Sequence, residues 1–285
     1  MSVVFLNGHF LKEHEAKVSV FDRGFLFGDG VYEVIPVFNG KLFRFEEHIA
    51  RLHRSLKAID IQLDWKVNRW ATLLNELIEK NAISQCSIYL QVTRGVQQQR
   101  DHVYDQEIVP TIMAMVSSLP KNNAKAFKEG ISVITHEDIR WKRCDIKSIS
   151  LLGNVMMRQV ANQQGMTEAI VLKDGRATEG SMSNLFIVQN GKVITPQKNA
   201  ELLGGVTRDL IVELLLHHQQ PIEERDITLT ELKNADEIWL SSSTKEIRAV
   251  VELDGKMIGE GKPGEMFRQT LELYLSYKNN LNASH

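Results

Sequence analysis

Residues 144 to 154 read C-D-I-K-S-I-S-L-L-G-N and place one lysine, Lys147, in an otherwise apolar, hydroxyl-flecked segment. Burying an ammonium group is unfavourable unless a partner neutralises it or a reaction uses it. A salt bridge to Asp145 is one solution, because on a strand both side chains would share a face. The other solution is chemical, since a desolvated lysine loses its proton more readily and attacks carbonyl groups. The segment therefore predicts either a structural ion pair or a reactive amine.

Two further stretches could hold an acid and an anion. Glu179 lies in A-T-E-G-S-M-S-N, between a polar turn and an apolar strand, where a carboxylate is ordinarily solvated. Residues 204 to 207, G-G-V-T, lead into an amphipathic helix with Thr207 as the predicted N-cap. Free backbone N–H groups and the positive end of the helix dipole favour a phosphate at such a helix start. A tight turn is the alternative explanation.

Hydroxyl groups and an arginine complete this first set of candidates. Residues 241 to 244, S-S-S-T, offer four consecutive hydroxyls at the end of a predicted strand, where a solvated turn is the ordinary structure. Arg51 lies on the helix face opposite Leu52 and Ile59, and an arginine in such a position is ordinarily a surface charge. Taken singly, these features indicate solvated surface.

Composition limits the classes of function. The chain has 285 residues, is 43% hydrophobic, and carries 34 basic against 36 acidic side chains. This near balance gives no overall field for nucleic acid or an anionic membrane, so we expect neither as a partner. No apolar run reaches the roughly 18 residues of a membrane span, and no secretory leader is recognised, which predicts a cytoplasmic protein. Cys86 and Cys144 match no metal or redox spacing and are expected to be reduced, buried hydrophobes. No metal site is predicted.

Turn dipeptides between apolar or alternating segments predict β-hairpins and much antiparallel sheet. The three dipeptides are Asn7-Gly8, Asn39-Gly40 and Asn190-Gly191. Apolar residues at helical spacing predict helices between the strands. These helices cover residues 46 to 59, 67 to 80, 154 to 164 and 207 to 218.

A polar stretch, residues 120 to 130, interrupts the periodicity and precedes a new strand, which makes it the predicted domain boundary. The predicted organisation is a small domain over residues 1–120, a linker over 121–130 and a larger domain over 131–285. We expect an α+β protein. Its N-terminal domain should be an α/β sandwich, and its C-terminal domain a closed or nearly closed α/β barrel.

Six short motifs join these features. They are V-Y-E-V, H-I-A-R-L, R-C-D-I-K-S, T-E-G-S-M-S-N, L-G-G-V-T-R-D and S-S-S-T. In this order, from about Phe5 to Phe267, the chain resembles the fold-type IV pyridoxal-phosphate enzymes, and within them the D-amino-acid aminotransferases. The resemblance implies pyridoxal 5′-phosphate as cofactor. It also implies that Lys147 forms an imine with the cofactor aldehyde and shuttles the substrate proton, while Glu179 pairs with the pyridine nitrogen.

The resemblance also implies two binding sets. The cofactor phosphate and ring would be held by Arg51, Leu203, Val206, Thr207, Ser242 and Ser243. The substrate would be held by Tyr32, Glu33, Arg100, His102 and Ser181. Among these, Arg100 and His102 resemble the carboxylate trap of D-specific enzymes, which fixes the handedness of the substrate. Without the resemblance, both would be interpreted as exposed loop residues.

The implied reaction is ping-pong transfer of the amino group from D-alanine to 2-oxoglutarate, giving pyruvate and D-glutamate in a homodimer. Small amino and keto acids are then the partners. The alternatives are a branched-chain L-amino-acid aminotransferase, an aminodeoxychorismate lyase of the same fold, or a non-enzymatic binder of the cofactor. Two departures from the family pattern, Met182 in place of a serine and the glutamines at 97 to 99, bear on the substrate range.

Overall fold

The computed structural model describes residues 2–119 and 123–283, and the chain divides into two compact units. The first unit comprises the residues up to Leu119 together with Ile146–Leu151, and the second comprises the rest. The sequence predicts Lys147 in the C-terminal domain, whereas contacts assign it to the first unit. Within the predicted linker, Asn123–Glu129 forms a helix. Residues 121 and 122 lie outside the described residues.

The first unit is built on one antiparallel sheet with the strand order β2-β1-β6-β5-β3-β4. Its elements are β1 Val3–Leu6, β2 His9–Lys12, α1 Arg23–Phe27, β3 Gly30–Phe38, β4 Lys41–Leu42, α2 Phe45–Ala58, α3 Val67–Asn81, β5 Cys86–Thr93 and β6 Thr111–Ser118.

Two of the predicted hairpins shape this sheet. Asn7 and Gly8 join β1 to β2 with positive φ angles of 47° and 94°, the left-handed backbone that a two-residue hairpin turn requires. Asn39-Gly40 joins β3 to β4 in the same way. Helices α2 and α3 supply apolar faces to a core in which Ile35, Leu52, Trp70, Leu74 and Ile88 are fully buried. The predicted periodicity of both helices is confirmed.

Residues 146–149 pair with the start of β3. The backbone N–H of Tyr32 donates to the Lys147 carbonyl at 2.9 Å, and that of Ile149 donates to the Gly30 carbonyl at 3.0 Å. An isolated antiparallel bridge between Val31 and Ser148 lies between these bonds. The lysine segment is therefore a single bridge against β3 and not the strand considered in the sequence analysis.

The second unit contains a ten-stranded mixed sheet, with β16 paired to β15 beside the path β12-β11-β10-β14-β15-β7-β8-β9-β13. Its elements are α4 Asn123–Glu129, β7 Ile131–Glu137, α5 Leu152–Gln163, β8 Glu168–Lys173, β9 Arg176–Gly180, β10 Asn184–Gln189, β11 Lys192–Thr195, α6 Val206–His217, β12 Ile222–Glu224, β13 Ile227–Thr228, α7 Leu229–Lys233, β14 Glu237–Ser242, β15 Glu246–Leu253, β16 Lys256–Met257 and α8 Glu265–Ala283.

The predicted hairpin at Asn190-Gly191 joins β10 to β11 and is confirmed. Three pairs, β11 with β12, β15 with β7 and β7 with β8, are parallel. The terminal strands of the path, β12 and β13, are not paired with each other in the described part of the chain. The α+β class is confirmed. The barrel-like sheet of the second unit is open between β12 and β13 in the described part of the chain.

The longest helix, α8, is 19 residues long and carries charged groups such as Glu265 and Arg268. Across residues 2–119 and 123–283, no helix has both the length and the apolar character needed to cross a bilayer.

We predict that Leu74→Ala destabilises the first unit. Leu74 is fully buried between α3 and the sheet, so its truncation removes apolar contacts and leaves a cavity. We expect the free energy of unfolding to fall by about 2–5 kcal/mol in urea titrations. The matched control is Leu216→Ala on α6, because Leu216 is 60% exposed and should change stability by less than about 0.5 kcal/mol. Equal losses in the two variants would contradict the assignment of the core.

Candidate active site

Lys147 is half-buried in the first unit, and both of its backbone groups are held. Its N–H donates to the Ser55 hydroxyl of α2 at 3.2 Å, and its carbonyl accepts the bond from Tyr32. The Nζ atom lies 4.1 Å from the centroid of the Tyr32 ring. That ring stacks in turn on Tyr89, with centroids 5.5 Å apart. Lys147 and Tyr32 are thus brought together, and their roles in the reaction stay predictions.

Arg51 and Glu33 form a buried ion pair next to the lysine segment. Nε and Nη2 of Arg51 donate to the two oxygens of Glu33, each at 2.7 Å. His48, one turn earlier on α2, places Nδ1 2.7 Å from Glu33 Oε2. All three side chains are almost completely excluded from water. The surface location ordinarily expected for Arg51 is therefore wrong, because β3 presents a carboxylate to this face of the helix.

Electrostatics make Glu33 a permanent anion. Burial alone would raise the pKa of its carboxyl, but the charge and hydrogen bonds of Arg51, together with His48, hold that pKa far below its usual range. Burial lowers the pKa of His48 despite the neighbouring Glu33, so the imidazole is neutral near pH 7 and donates through Nδ1. The observed contacts of Glu33 are Arg51 and His48, and its role in lining the substrate stays a prediction.

Arg100 and His102 are exposed on the loop between β5 and β6. Both contact the ring of Phe27, the last residue of α1. The Arg100 guanidinium carbon lies 4.9 Å from the ring centroid, and the His102 ring centroid lies 5.4 Å from it. The structure therefore brings the two side chains together around one aromatic ring, and their role as a carboxylate trap stays a prediction.

Glu179, at the end of β9 in the second unit, is buried rather than solvated. Its Oε1 accepts a short hydrogen bond from Nη1 of Arg140, and its Oε2 accepts the backbone N–H of Leu203 at 3.1 Å and the Asn184 amide at 3.5 Å. Burial raises the pKa of the Glu179 carboxyl to about 7, although Arg140 acts to lower it. This carboxyl is therefore poised between its two protonation states near neutral pH and would be stabilised as an anion by a second cation.

The sequence analysis missed Arg140, which lies in the loop after β7. Its guanidinium is fixed by Asp138, with Nε 2.9 Å from Oδ1 and Nη2 3.0 Å from Oδ2, and the remaining nitrogen reaches Glu179. The D-I-R-W stretch contains no helical or strand periodicity that would have indicated this pairing. Only the fold brings this loop to β9.

Asn184 connects Glu179 to the start of α6. Its amide nitrogen donates to the Leu203 carbonyl at 2.7 Å as well as facing Glu179. Gly205 is the N-cap of α6, and a Cβ built there would lie 1.9 Å from Asn184 Oδ1, so any side chain would force Asn184 to shift. Thr207 is thus the second residue of the helix and not its N-cap, which corrects the prediction. The reason is that Gly205, with φ −75° and ψ 134°, is the last extended residue, so helical backbone already begins at Val206.

The helix start is suited to an anion. Gly205 has no side-chain cap bond, and the first-turn N–H groups of Val206 and Thr207 have no partner within a helix of this geometry. In β14, Ser241 pairs in register with Asn184 of β10, which places it beside this helix start. Its hydroxyl is buried without a hydrogen-bond partner in the described part of the chain. A buried hydroxyl is normally satisfied, so it indicates a missing acceptor or donor.

Ser181 shows the same feature, since its hydroxyl is also buried and without a partner in the parts of the chain that are described. Ser242 and Ser243 are half-buried at the end of β14 and in the turn after it, where the Ser242 hydroxyl accepts the Lys245 N–H at 3.3 Å. These hydroxyls and the helix start suit the oxygens of a phosphate group, and Glu179 suits a pyridine nitrogen. The residues of the second unit therefore fit pyridoxal phosphate.

Each unit thus gathers one part of the predicted site. The first holds the amine, its aromatic neighbour, the Arg51 pair and the trap, while the second holds the acid and the helix start. His48 and Asn184 belong to motifs that the sequence analysis quoted, H-I-A-R-L and T-E-G-S-M-S-N, but their roles were missed. Each is a polar residue within a motif in which another residue had been assigned a role, and this was the signal available in the sequence.

Comparison with known families identifies the class of protein. Residues 30–253 match the family described as amino-transferase class IV. This span contains Lys147, Glu179 and the start of α6, and it covers well over half of the chain. The chain belongs to the class IV aminotransferase family.

Within this family, the chain is similar to D-alanine aminotransferases of two organisms. A D-alanine aminotransferase of Listeria monocytogenes is 39% identical over 274 residues, which are 95% of this chain and 94% of the relative. One of Staphylococcus aureus is 40% identical over 277 residues, covering 97% and 98% of the two chains.

Solved structures share the fold. The branched-chain amino acid aminotransferase of Escherichia coli has a TM-score of 0.91 at 24% identity, with 96% of this chain and 94% of that chain covered. A T.th. branched-chain amino acid aminotransferase, complexed with N-(5′-phosphopyridoxyl)-L-glutamate, has a TM-score of 0.86 at 22% identity, with 96% and 93% covered.

Glu179→Gln tests the raised pKa in the cofactor-free protein. The ordinary pKa of 4.5 applies when the chain is unfolded, and the folded pKa is about 7, so the folded state binds more protons between these values. The resulting stabilisation is complete below the unfolded pKa and is lost as pH rises through the folded one. From about pH 5 to about pH 8, the wild type should lose about 2–3 kcal/mol of unfolding free energy relative to the variant. Urea titrations that give a pH-independent difference would contradict this.

Proposed function

We propose that this chain is a pyridoxal-phosphate-dependent D-amino-acid aminotransferase that moves an amino group between D-alanine and 2-oxoglutarate. One observation carries the proposal: near-full-length identity of about 40% to D-alanine aminotransferases. The fold and the two residue groups of the candidate active site support it independently, because each group supplies a chemistry that transamination needs.

The cofactor supplies an aldehyde that binds amino groups and a ring that withdraws electrons from the substrate α-carbon. Lys147 would supply the amine that binds the aldehyde between turnovers and that moves the proton to and from the α-carbon. Its backbone is fixed through Tyr32 and Ser55, so the position of its stem is set before the substrate arrives. The Tyr32 ring under Nζ shields one side of the ammonium group from water.

Glu179 would hold the positive charge at the pyridine nitrogen. A buried carboxyl whose pKa is about 7 gains most from a cation placed beside it, and a protonated pyridine nitrogen is such a cation. The phosphate would be held by the N–H groups of Val206 and Thr207, the Thr207 hydroxyl and Ser243, together with Arg51 and Ser242. Leu203, whose backbone N–H is bonded to Glu179, would lie next to the ring.

Arg100 and His102 bind the substrate carboxylate and thereby set its handedness. A guanidinium fork and an imidazole on one loop fix a carboxylate in one orientation, which decides the face at which the α-hydrogen meets Lys147. Tyr32, Glu33 and Ser181 complete the substrate side.

We also propose a homodimer. Large apolar side chains are exposed near the trap loop, with Phe25 and Val103 each 74% and Val109 81% exposed. Exposed apolar groups of this size commonly mark a protein interface. A cytoplasmic setting is supported by Cys86 and Cys144, which are free and buried.

The second candidate is a branched-chain L-amino-acid aminotransferase, favoured by the TM-score of 0.91 to such an enzyme. At 24% identity this likeness concerns the fold alone. The charged trap favours the D-specific reaction over this candidate, and over an aminodeoxychorismate lyase or a non-enzymatic cofactor binder.

Lys147→Ala should abolish turnover and the absorbance of the lysine-bound cofactor, because the variant lacks the amine that binds the aldehyde and carries the proton. Activity assays with D-alanine and 2-oxoglutarate measure the turnover, and an absorption spectrum measures the lysine-bound cofactor. Lys142→Ala, which alters an exposed lysine in the same loop, is the control. Full activity in Lys147→Ala would end the proposed mechanism.

A donor screen decides the substrate. We expect D-alanine to be used, and L-leucine and aminodeoxychorismate to be used poorly or not at all. Arg100→Ala should lower kcat/KM for D-alanine by about 100-fold, in keeping with a lost charge-assisted fork. A preference for L-leucine would replace the proposal with the branched-chain candidate.

A further inference from the structure

The trap residues stand on an irregular segment, since the chain from Arg94 to Pro110 forms no helix and only an isolated bridge at Val96. Such a loop is mobile unless other groups tie its backbone down. A carboxylate trap needs its two side chains held to a fraction of an ångström. The structure must therefore contain something that fixes the loop near Arg100 and His102.

Arg23 contacts this loop directly. Its Nη1 donates to the Asp101 carbonyl at 2.6 Å, and its Nη2 donates to the His102 carbonyl at 3.1 Å. Nη1 also lies 3.5 Å from the side-chain oxygen of Gln97, at the other end of the loop. The Arg23 side chain is only 5% exposed, so these bonds form out of competition with water. One guanidinium thus spans the trap backbone.

Asp29 holds that guanidinium in place. Its Oδ2 accepts Nε of Arg23 at 2.8 Å and Nε of Arg94 at 2.8 Å, while its Oδ1 accepts Nη2 of Arg94 at 3.0 Å. Arg94 uses its other donors on the Ile59 and Asp60 carbonyls, in the segment after α2. The two arginines therefore share one carboxylate but reach different backbones, and only Arg23 bonds to the trap.

Phe27 connects the same helix to the trap side chains. The Arg23 guanidinium carbon lies 4.8 Å from the Phe27 centroid, and Arg100 lies at 4.9 Å from the same ring. With His102 also against it, the ring spaces the two trap side chains. Gly24 allows α1 to approach β5, since a Cβ there would lie 2.2 Å from the Thr93 methyl group.

We infer that Arg23 is a positioning residue for substrate handedness: it fixes the backbone of Asp101 and His102 so that Arg100 and His102 present one geometry to the substrate carboxylate. The inference rests on the proposed function. Arg23 itself touches no reacting atom. Its loss should therefore weaken carboxylate binding and D-selectivity while leaving the Lys147 chemistry intact.

Arg23→Lys is the test, because lysine keeps a charge beside Asp29 but lacks the fork that bonds two carbonyls. We expect kcat/KM for D-alanine to fall about 10- to 100-fold, mainly through KM, with a lower D to L ratio. Binding of 2-aminoisobutyrate, an achiral analogue of alanine that has a second methyl group in place of the α-hydrogen, should weaken to the same extent in absorbance titrations. The spectrum of the bound cofactor should match that of the wild type.

Arg94→Lys is the matched control. It alters a similarly buried arginine on the same carboxylate, and it also disturbs the loop, because the Arg94 guanidinium carbon lies 3.6 Å from the Tyr104 ring centroid. It nevertheless leaves the Arg23 bonds to the trap carbonyls in place, so its effect on KM should be several-fold smaller. Equal losses in the two variants, or an unchanged KM and D to L ratio in Arg23→Lys, would overturn the inference. Phe27→Leu provides a second variant at a half-buried position, and it too should raise KM more than it lowers kcat.

Arg100→Ala separates this inference from the proposed function. In the Arg100→Ala background, Arg23→Lys should lower kcat/KM for D-alanine by a much smaller factor than in the wild type, because the trap that Arg23 positions is already lost. If the two substitutions lower kcat/KM by independent factors that multiply, Arg23 does not act through the trap and the inference is contradicted. If neither the wild type nor any variant uses D-amino acids, the proposed function has failed, whereas activity that depends on Arg100 but not on Arg23 fails the inference alone.

Discussion

A carboxylate excluded from water is stable as an anion only where cations and donors surround it, and Glu179 is placed under that constraint. Arg140 contacts one of its oxygens, and Leu203 and Asn184 contact the other, yet burial still raises its pKa to about 7. The surroundings therefore compensate the charge only in part. In the proposed function, a cationic ring nitrogen beside Glu179 would complete the compensation.

Glu33 shows what full compensation looks like. It is equally buried, but the Arg51 fork and the His48 imidazole hold its pKa far below the usual range. One carboxylate is thus an anion held by Arg51 and His48, and the other has a raised pKa that a further cation would lower. The same side chain takes two roles because the number of donors and cations around it differs.

Local chemistry made part of this structure predictable. Asn7-Gly8 and Asn190-Gly191 are identifiable as hairpins because left-handed turn residues act within a few positions, and the periodicity of α2 reports one buried face. The partners that define the site are distant in the sequence. Arg140 meets Glu179, and Ser241 lies opposite Asn184, through strand pairings that no local pattern encodes. From the sequence alone, Arg51 would be placed at the surface, because no local pattern shows that β3 brings Glu33 beside it. Only the resemblance assigns Arg51 a role.

The protonation state of the cofactor nitrogen tests the central claim most directly. With pyridoxal phosphate labelled with ¹⁵N at the ring nitrogen, NMR of the loaded enzyme reports whether that atom carries a proton. A protonated nitrogen at neutral pH in the wild type, changing to the neutral form in Glu179→Gln, is the predicted result. A neutral nitrogen in the wild type, or one that is equally protonated in both proteins, would contradict the account.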